Sequence, residues 1–286
     1  MQFIRKMEPF QNVVATGRAV MNSKLVLGNV IERIYLKLSG GSFTKAMITA
    51  VRVRLNGKVT FEVNSVSGVN VLDLIQRYSL LNNTTGYLTI DFTEPTARSI
   101  QGQLMGSINT NAAGVTDFTV EVDISGATTP ALDAWVQLRS PGSMSPAQGF
   151  DPNTAALIRA VIPTTIPVTA SGEIQADVNV GSAGLSLIKR LYVYSSILTS
   201  LRIKRDALDI FESVDTALNT YIEADFGRQA QSGMYTYDSL VDGNQSDAVA
   251  TRRPDGLPSN FQFLFTASGS GTHYVYADVY STLQAL

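Results

Sequence analysis

Residues 48–63 read ITAVRVRLNGKVTFEV. Val51, Val53 and Leu55 alternate with Arg52 and Arg54, the period of a strand with one buried face. Asn56-Gly57 stands where two such strands join, and this dipeptide suits a two-residue hairpin turn. Residues 198–213 read LTSLRIKRDALDIFES. Laid on the first stretch without gaps, Thr49 meets Thr199, Arg52 meets Arg202, Phe61 meets Phe211 and Glu62 meets Glu212. Val51 and Val53 meet Leu201 and Ile203. The chain carries one hairpin twice.

The repeat extends in both directions. ERIYLKL (32–38) matches KRLYVYS (189–195), with Tyr35 on Tyr192, and VMNSKLVLG ending at Gly28 matches IQADVNVG ending at Gly181. Downstream, GYLTIDF (86–92) matches GMYTYDS (233–239), and DFTVEVDISG (117–126) matches NFQFLFTASG (260–269). A helical patch follows each hairpin. Asn70 can cap the first, with Leu72, Ile75 and Tyr78 on one face; Asp215 can cap the second, with Leu218, Tyr221 and Ile222 on one face and Gly227 at its end. Short alternating segments broken by Gly, Asn and Pro point to sandwiches. The expectation is an all-β protein of two tandem eight-stranded jelly rolls, a double jelly roll, each with a short helix between strands. Five of the ten prolines fall between Pro141 and Pro167, which marks a connector. It places the first jelly roll, with an N-terminal arm, at 1–150, and the connector and second jelly roll at 151–286. NTAALIRAV (153–161) reads as a helical turn or two within it.

Of 286 residues, 44% are apolar and 16% charged, which allows ample core for two domains. With no cysteine, disulfides and thiolate metal sites are excluded. The net charge is −2, without the basic tail or stripe of a protein that wraps nucleic acid. Residues 1–150 hold 13 basic and 10 acidic residues, a net +3; residues 151–286 hold 9 and 14, a net −5.

Catalytic patterns are missing. One histidine, His273, on an alternating segment reads as structural, and no Gly-x-Ser-x-Gly elbow or Walker loop occurs. Asp238, Asp242, Asn244 and Asp247 lie within ten residues. They could offer oxygen ligands to calcium, although Asp242-Gly243-Asn244 also makes a good turn by itself; no other cofactor is expected. In MQFIRKMEPF, Phe3, Ile4, Met7 and Phe10 fall on one helical face beside Arg5 and Lys6. The segment, Phe3 to Met7 above all, reads as a contact with a membrane or the inner face of an assembly, or as an arm packed on its own or a neighbouring subunit.

LGNVIERIYLKLSGGSFTKAMITAVRVRLNGKVTFEV (27–63), IKRLYVYSSILTSLRIKRDALDIFES (188–213) and GMYTYDSLVDGNQSDAV (233–249) carry a family resemblance. They resemble the double jelly-roll major capsid proteins of tailless icosahedral viruses, in particular the corticovirus-type coat protein and its relatives in phages and prophages. The resemblance implies a non-enzymatic capsid protein of the virion, assembled in the host cytoplasm into pseudo-hexagonal homotrimers that tile an icosahedral shell. It further implies neighbouring capsomers, penton and minor capsid proteins and an internal lipid membrane as partners, with no sequence-specific binding of nucleic acid. The competing reading is a carbohydrate- or receptor-binding jelly roll of the spike or lectin kind, which should set exposed aromatics beside carboxylates in a groove. Trp135, in LDAWVQL, alternates instead like a core or interface strand.

Overall fold

The computed structural model describes residues 1–145, 155–181 and 185–286. Two compact units divide the chain at Ala160/Val161, with Thr282–Gln284 and Leu286 grouped with the first and Ala285 with the second. The division expected near residue 150 falls outside the described residues. So do Asn153 and Thr154 of the expected helical turn, whose later part is strand from Leu157 onward. Ile158, Ala160 and Val161 are buried there, and a helical turn could not lend its backbone to a sheet.

The first unit contains β1 (Gln2–Lys6), β2 (Gly17–Asn22), β3 (Val30–Ser42), β4 (Ile48–Leu55), β5 (Lys58–Asn64), α1 (Val71–Tyr78), β6 (Tyr87–Asp91), α2 (Ile100–Leu104), β7 (Ile108–Asn109), β8 (Phe118–Ile124) and β9 (Thr128–Arg139). One sheet runs β1-β9-β3-β6, with β7 also on β3, and the other β2-β8-β4-β5. β10 (Leu157–Val168) begins in the first unit and continues into the second. The second unit adds β11 (Gly172–Ala176), β12 (Leu187–Tyr194), β13 (Leu198–Arg205), β14 (Leu208–Asp215), α3 (Thr216–Asp225), β15 (Met234–Asp238), β16 (Val249–Ala250), β17 (Phe261–Ala267) and β18 (Gly271–Thr282). Its strand orders, β10-β18-β12-β15 with β16 on β12, and β11-β17-β13-β14, repeat those of the first unit. The fold is a double jelly roll.

The match reaches single residues. Both hairpins turn through two residues with positive φ: Asn56 (51°) and Gly57 (79°) in one, Asp206 (51°) and Ala207 (69°) in the other. That geometry follows the right-handed twist of the flanking strands. Val53 pairs with Phe61 and Arg54 with Val59, leaving Thr60 as an extra residue. Ile203 pairs with Phe211 and Lys204 with Asp209, leaving Ile210 as its counterpart. Thr49 and Thr199 bulge alike against β8 and β17, and each hydroxyl donates to the carbonyl across, Asp123 O at 3.3 Å and Thr266 O at 3.0 Å. β14 departs from β5 in one respect, a second irregularity between Leu201 and Ile203 where Ser213 has a φ of 47°.

Burial follows the alternation. Val51, Val53 and Leu55 are buried, as are Leu201 and Ile203. Arg52 lies on the opposite face, bonded to Glu62 and Asp123, and Arg202 is bonded to Asp209. Truncating Val53 or Ile203 to alanine is therefore expected to cost about 2–4 kcal/mol through lost burial and a residual cavity. Arg52→Ala should cost less, because water can reach its partners. Denaturant unfolding of the three variants measures this, and the reverse ranking would mean the facing is wrong.

Candidate assembly surfaces

The ends of the helices make equivalent residues identifiable. At the end of α1, Ser79 N donates to Ile75 O, Leu80 N to Arg77 O and Leu81 N to Gln76 O. At the end of α3, Phe226 N donates to Ile222 O, Gly227 N to Ala224 O and Arg228 N to Glu223 O. Leu80 and Gly227 both take positive φ there. The sheet side agrees. The Gln76 side-chain oxygen accepts from Thr89 N on β6, and the Glu223 carboxylate accepts from Thr236 N on β15. Val71 thus corresponds to Leu218, Ile75 to Ile222 and Gln76 to Glu223.

The two helices carry opposite surfaces at these positions. The expected caps are present: Asn70 accepts from Asp73 N and Asp215 from Leu218 N. In α1, Leu72, Ile75 and Tyr78 are buried as expected. In α3 the expected apolar face points out: Leu218 is 49% and Tyr221 70% exposed, and Ile222 is half-buried. Asn219 and Glu223 take the buried side, because Asn219 reaches Thr236 O on the sheet and the Glu223 carboxylate at once. Spacing tells which residues share a face, but here two hydrogen bonds to β15 choose the face that turns inward. β14 shares the exposure, with Ile210, Phe211 and Val214 only half-buried, whereas Phe61 and Val63 of β5 are buried.

The outer face of the β1-β9-β3-β6 sheet is open in the first unit. Ile4, Tyr35, Lys37, Tyr87 and Trp135 line a groove of about 310 Å³, and a second of about 390 Å³ shares Tyr35 and Tyr87 and reaches Arg33 and Asn82. Lys6 Nζ lies 5.3 Å from the centre of the Trp135 ring and 2.8 Å from Asp133. Tyr35 pairs with Trp135 as Tyr192 pairs with Tyr276, yet Tyr192 and Tyr276 are fully buried. Cations, Lys37 and Arg33, line the two grooves, and the nearby Asp133 carboxylate is engaged by Lys6.

The N-terminal segment is not the expected helix. Gln2–Lys6 is strand β1, in register with β9 from Gln2 on Arg139 to Lys6 on Trp135. A helix as short as Phe3–Phe10 is marginal by itself, whereas an added strand bonds to a ready edge. Phe3 is half-buried and Met7 and Phe10 are buried, while Ile4, Arg5 and Lys6 are exposed.

Ion pairs cross the same sheet positions in both units. Arg33 Nε is 3.1 Å from Asp91 in the first, and Arg190 Nε is 2.8 Å from Asp238 in the second. Each follows a bulge, between Ile31 and Arg33 and between Ile188 and Arg190. The second pair is buried in a larger set: Arg228 Nε lies 3.6 Å from Asp238, Lys189 Nζ 3.6 Å from Asp278, and the Lys189 ammonium 4.5 Å from the Tyr280 ring centre. Sequence reading missed these charges, since an isolated cation on an alternating strand reads as solvated.

The four oxygen-bearing residues of the 238–247 loop are held by different partners. Asp238 serves the two arginines, the Asp242 side chain accepts from Asn244 N, and Asn244 bonds to Asp247 and accepts from Ser246 N. Among the described residues, no group of three or more acidic or histidine side chains is arranged to hold a metal. His273 is buried, stacks on Phe265 and lies 2.8 Å from Ser195 Oγ through Nδ1. Burial lowers its pKa and favours the neutral ring.

Comparisons with known proteins bear on both units. The profile described as viral coat protein P2 N-terminal domain matches residues 4–139, and that described as viral coat protein P2 C-terminal domain matches residues 158–283. No curated protein sequence matches significantly. Among solved structures, the chain is similar to the major capsid protein P2 of bacteriophage PM2, with a TM-score of 0.81 at 17% identity over 98% of this chain and 97% of that one. It is also similar to the STIV MCP, at 0.68 and 13% over 99% and 97%, and to the PBCV-1 virus capsid, at 0.61 and 10% over 98% and 93%. At these identities the likeness establishes the fold.

Three substitutions test the buried polar positions. Burial raises the Glu223 pKa to about 7, against the bonds from Asn219 and Thr236 N and with help from the Asp238 charge. A folded-state value above the unfolded one means stability that is full below about pH 4.5 and lost as pH rises through about 7. Glu223→Gln, which installs the residue found at the equivalent position of α1, should match the parent in acid and exceed it by up to about 3 kcal/mol at pH 8. Melting temperatures of both proteins across that range check the sign. Asp238→Asn removes one of the two carboxylates that serve the buried cations, with Asp278 left 4.0 Å from Arg190, and should cost about 3–5 kcal/mol. Asp91→Asn should cost less, because the Arg33 side chain is 22% exposed; equal denaturation midpoints would contradict that ranking.

Proposed function

The chain belongs to the viral coat protein P2 family and is a coat protein of the virion capsid, and from that membership we propose that it tiles an icosahedral shell as a closed homotrimer. The observation that carries the trimer is complementary exposure. The helix face buried at Val71 and Ile75 is open at Leu218 and Ile222, and the sheet face buried at Tyr192 and Tyr276 is open at Tyr35 and Trp135. Each unit leaves open what the other has covered. Head-to-tail contacts between unlike units use both open faces and close into a ring. A ring of three such chains presents six sandwiches, which suits a hexagonal tile.

Charge supports the same pairing. The described residues of the first unit belong to a half with net +3 and those of the second to a half with net −5. Opposite charge steers unlike units together and opposes like pairs, while apolar burial supplies the affinity. The role is structural rather than catalytic. Assembly in the host cytoplasm, penton and minor protein contacts and an internal lipid layer complete the reading through the family likeness.

Sedimentation of the purified protein should give a trimer, and electron microscopy a flat hexagonal outline. The rate of trimer formation should fall as salt rises while the finished trimer persists, because only exposed charges are screened, over about 8 Å at physiological ionic strength. A monomer at assembly concentrations, or a rate indifferent to salt, would count against it.

A further inference from the structure

The open face of α3 and β14 has a covered duplicate, and the covering residues can be named. In the first unit, Arg159 lines a small cleft together with Phe61, Leu72, Ile75 and Gln76. Its Nη1 donates to the Asp91 carbonyl at 2.7 Å. The neighbouring Ile158 is fully buried and bridges Gly106. These two residues follow Leu157, the first of β10.

β1 holds the place of β10 in the other strand order: β1 lies beside β9, and β10 beside β18. Their sequences agree, Phe3-Ile4-Arg5 against Leu157-Ile158-Arg159, and the two family profiles begin at residues 4 and 158. Burial does not agree. Ile4 is 61% exposed and Arg5 is exposed, whereas Ile158 and Arg159 are buried. One strand start is thus without a face to cover, and one helix face is without a strand start over it.

We propose that β1 of one copy lies over α3 and β14 of a second copy, with Arg5 over Phe211 and Ile222, as Arg159 lies over Phe61 and Ile75, and near Asp225 at the end of α3. The occupant is this chain itself, because the missing piece has the sequence of the piece that fills the duplicate site. Charge agrees: Arg5 is cationic, and Asp225 is exposed at the C-terminal end of α3. Depth differs between the two sites. Arg228, at the position of Leu81, already reaches Asp238 and donates to Leu240 O, so Arg5 sits nearer the rim than Arg159 does. The extra irregularity at Ser213 bends β14 at the place where the second copy arrives.

This inference rests on the proposed homotrimer and fails separately from it. The absence of native cysteine makes a direct test possible. The double variant Arg5→Cys with Ile222→Cys, treated as trimer with a short bis-maleimide, should give covalent trimers, and each single variant should give none. Arg5→Glu, on an exposed strand position that should not disturb folding, should raise the concentration for half-dissociation at least tenfold with an unchanged circular dichroism spectrum. A sedimenting trimer in which residues 5 and 222 do not cross-link and Arg5→Glu has no effect overturns the β1 contact and leaves the trimer standing. Cross-linking of Arg5→Cys alone would mean β1 meets β1 and also overturns it. A parent protein that stays monomeric removes both.

Discussion

Register is the constraint on which this molecule depends. Side chains alternate along a strand, so a slip of one residue turns the buried set to solvent and the solvated set inward. Both hairpins hold register by the same means: a two-residue left-handed turn, one extra residue opposite Val53 or Ile203, and a threonine bulge tied to the facing strand. With register held, Arg33 meets Asp91 and Arg190 meets Asp238, and Gln76 and Glu223 reach the same backbone group on their sheets. Each later contact is downstream of those few positions.

The second turn achieves this with Ala207 where the first has Gly57. An L-residue in the left-handed region costs about 1–2 kcal/mol, and the second unit tolerates it because the strands on either side are paired. β13 lies between β14 and β17, with its partners matched along nearly its whole length. Local preference yields to the sheet, as it does at the N-terminus, where Phe3, Ile4 and Met7 fit a helical face but β9 recruits Gln2–Lys6 as a strand.

Much of the fold could be read before any coordinates: the alternation around Val53, the Asn56-Gly57 turn, the caps Asn70 and Asp215, and the order of the repeated segments. These are local signals. What escaped reading depended on partners distant in sequence. The inward side of α3 was decided by Thr236, the buried charges of Lys189 and Arg190 by Asp278 and Asp238, and the strand at Leu157 by burial of its neighbours. The proposed assembly surface was the least legible, since Ile4-Arg5 and Ile158-Arg159 are alike in sequence and differ only in what surrounds them. Comparing the burial of duplicates exposes that difference, and no single-copy protein offers such an internal control.

Arg159 is tied to its site by a continuous chain, so dilution cannot remove it. A tethered group of this kind acts at an effective concentration that can reach the millimolar range, fixed by the length and stiffness of what connects it. The contact over α1 therefore forms whenever the first unit folds, at any protein concentration. An equivalent contact supplied by a separate molecule has no such tether and follows mass action. In the proposed assembly, duplication within one chain thus divides like contacts into a permanent set and a conditional set.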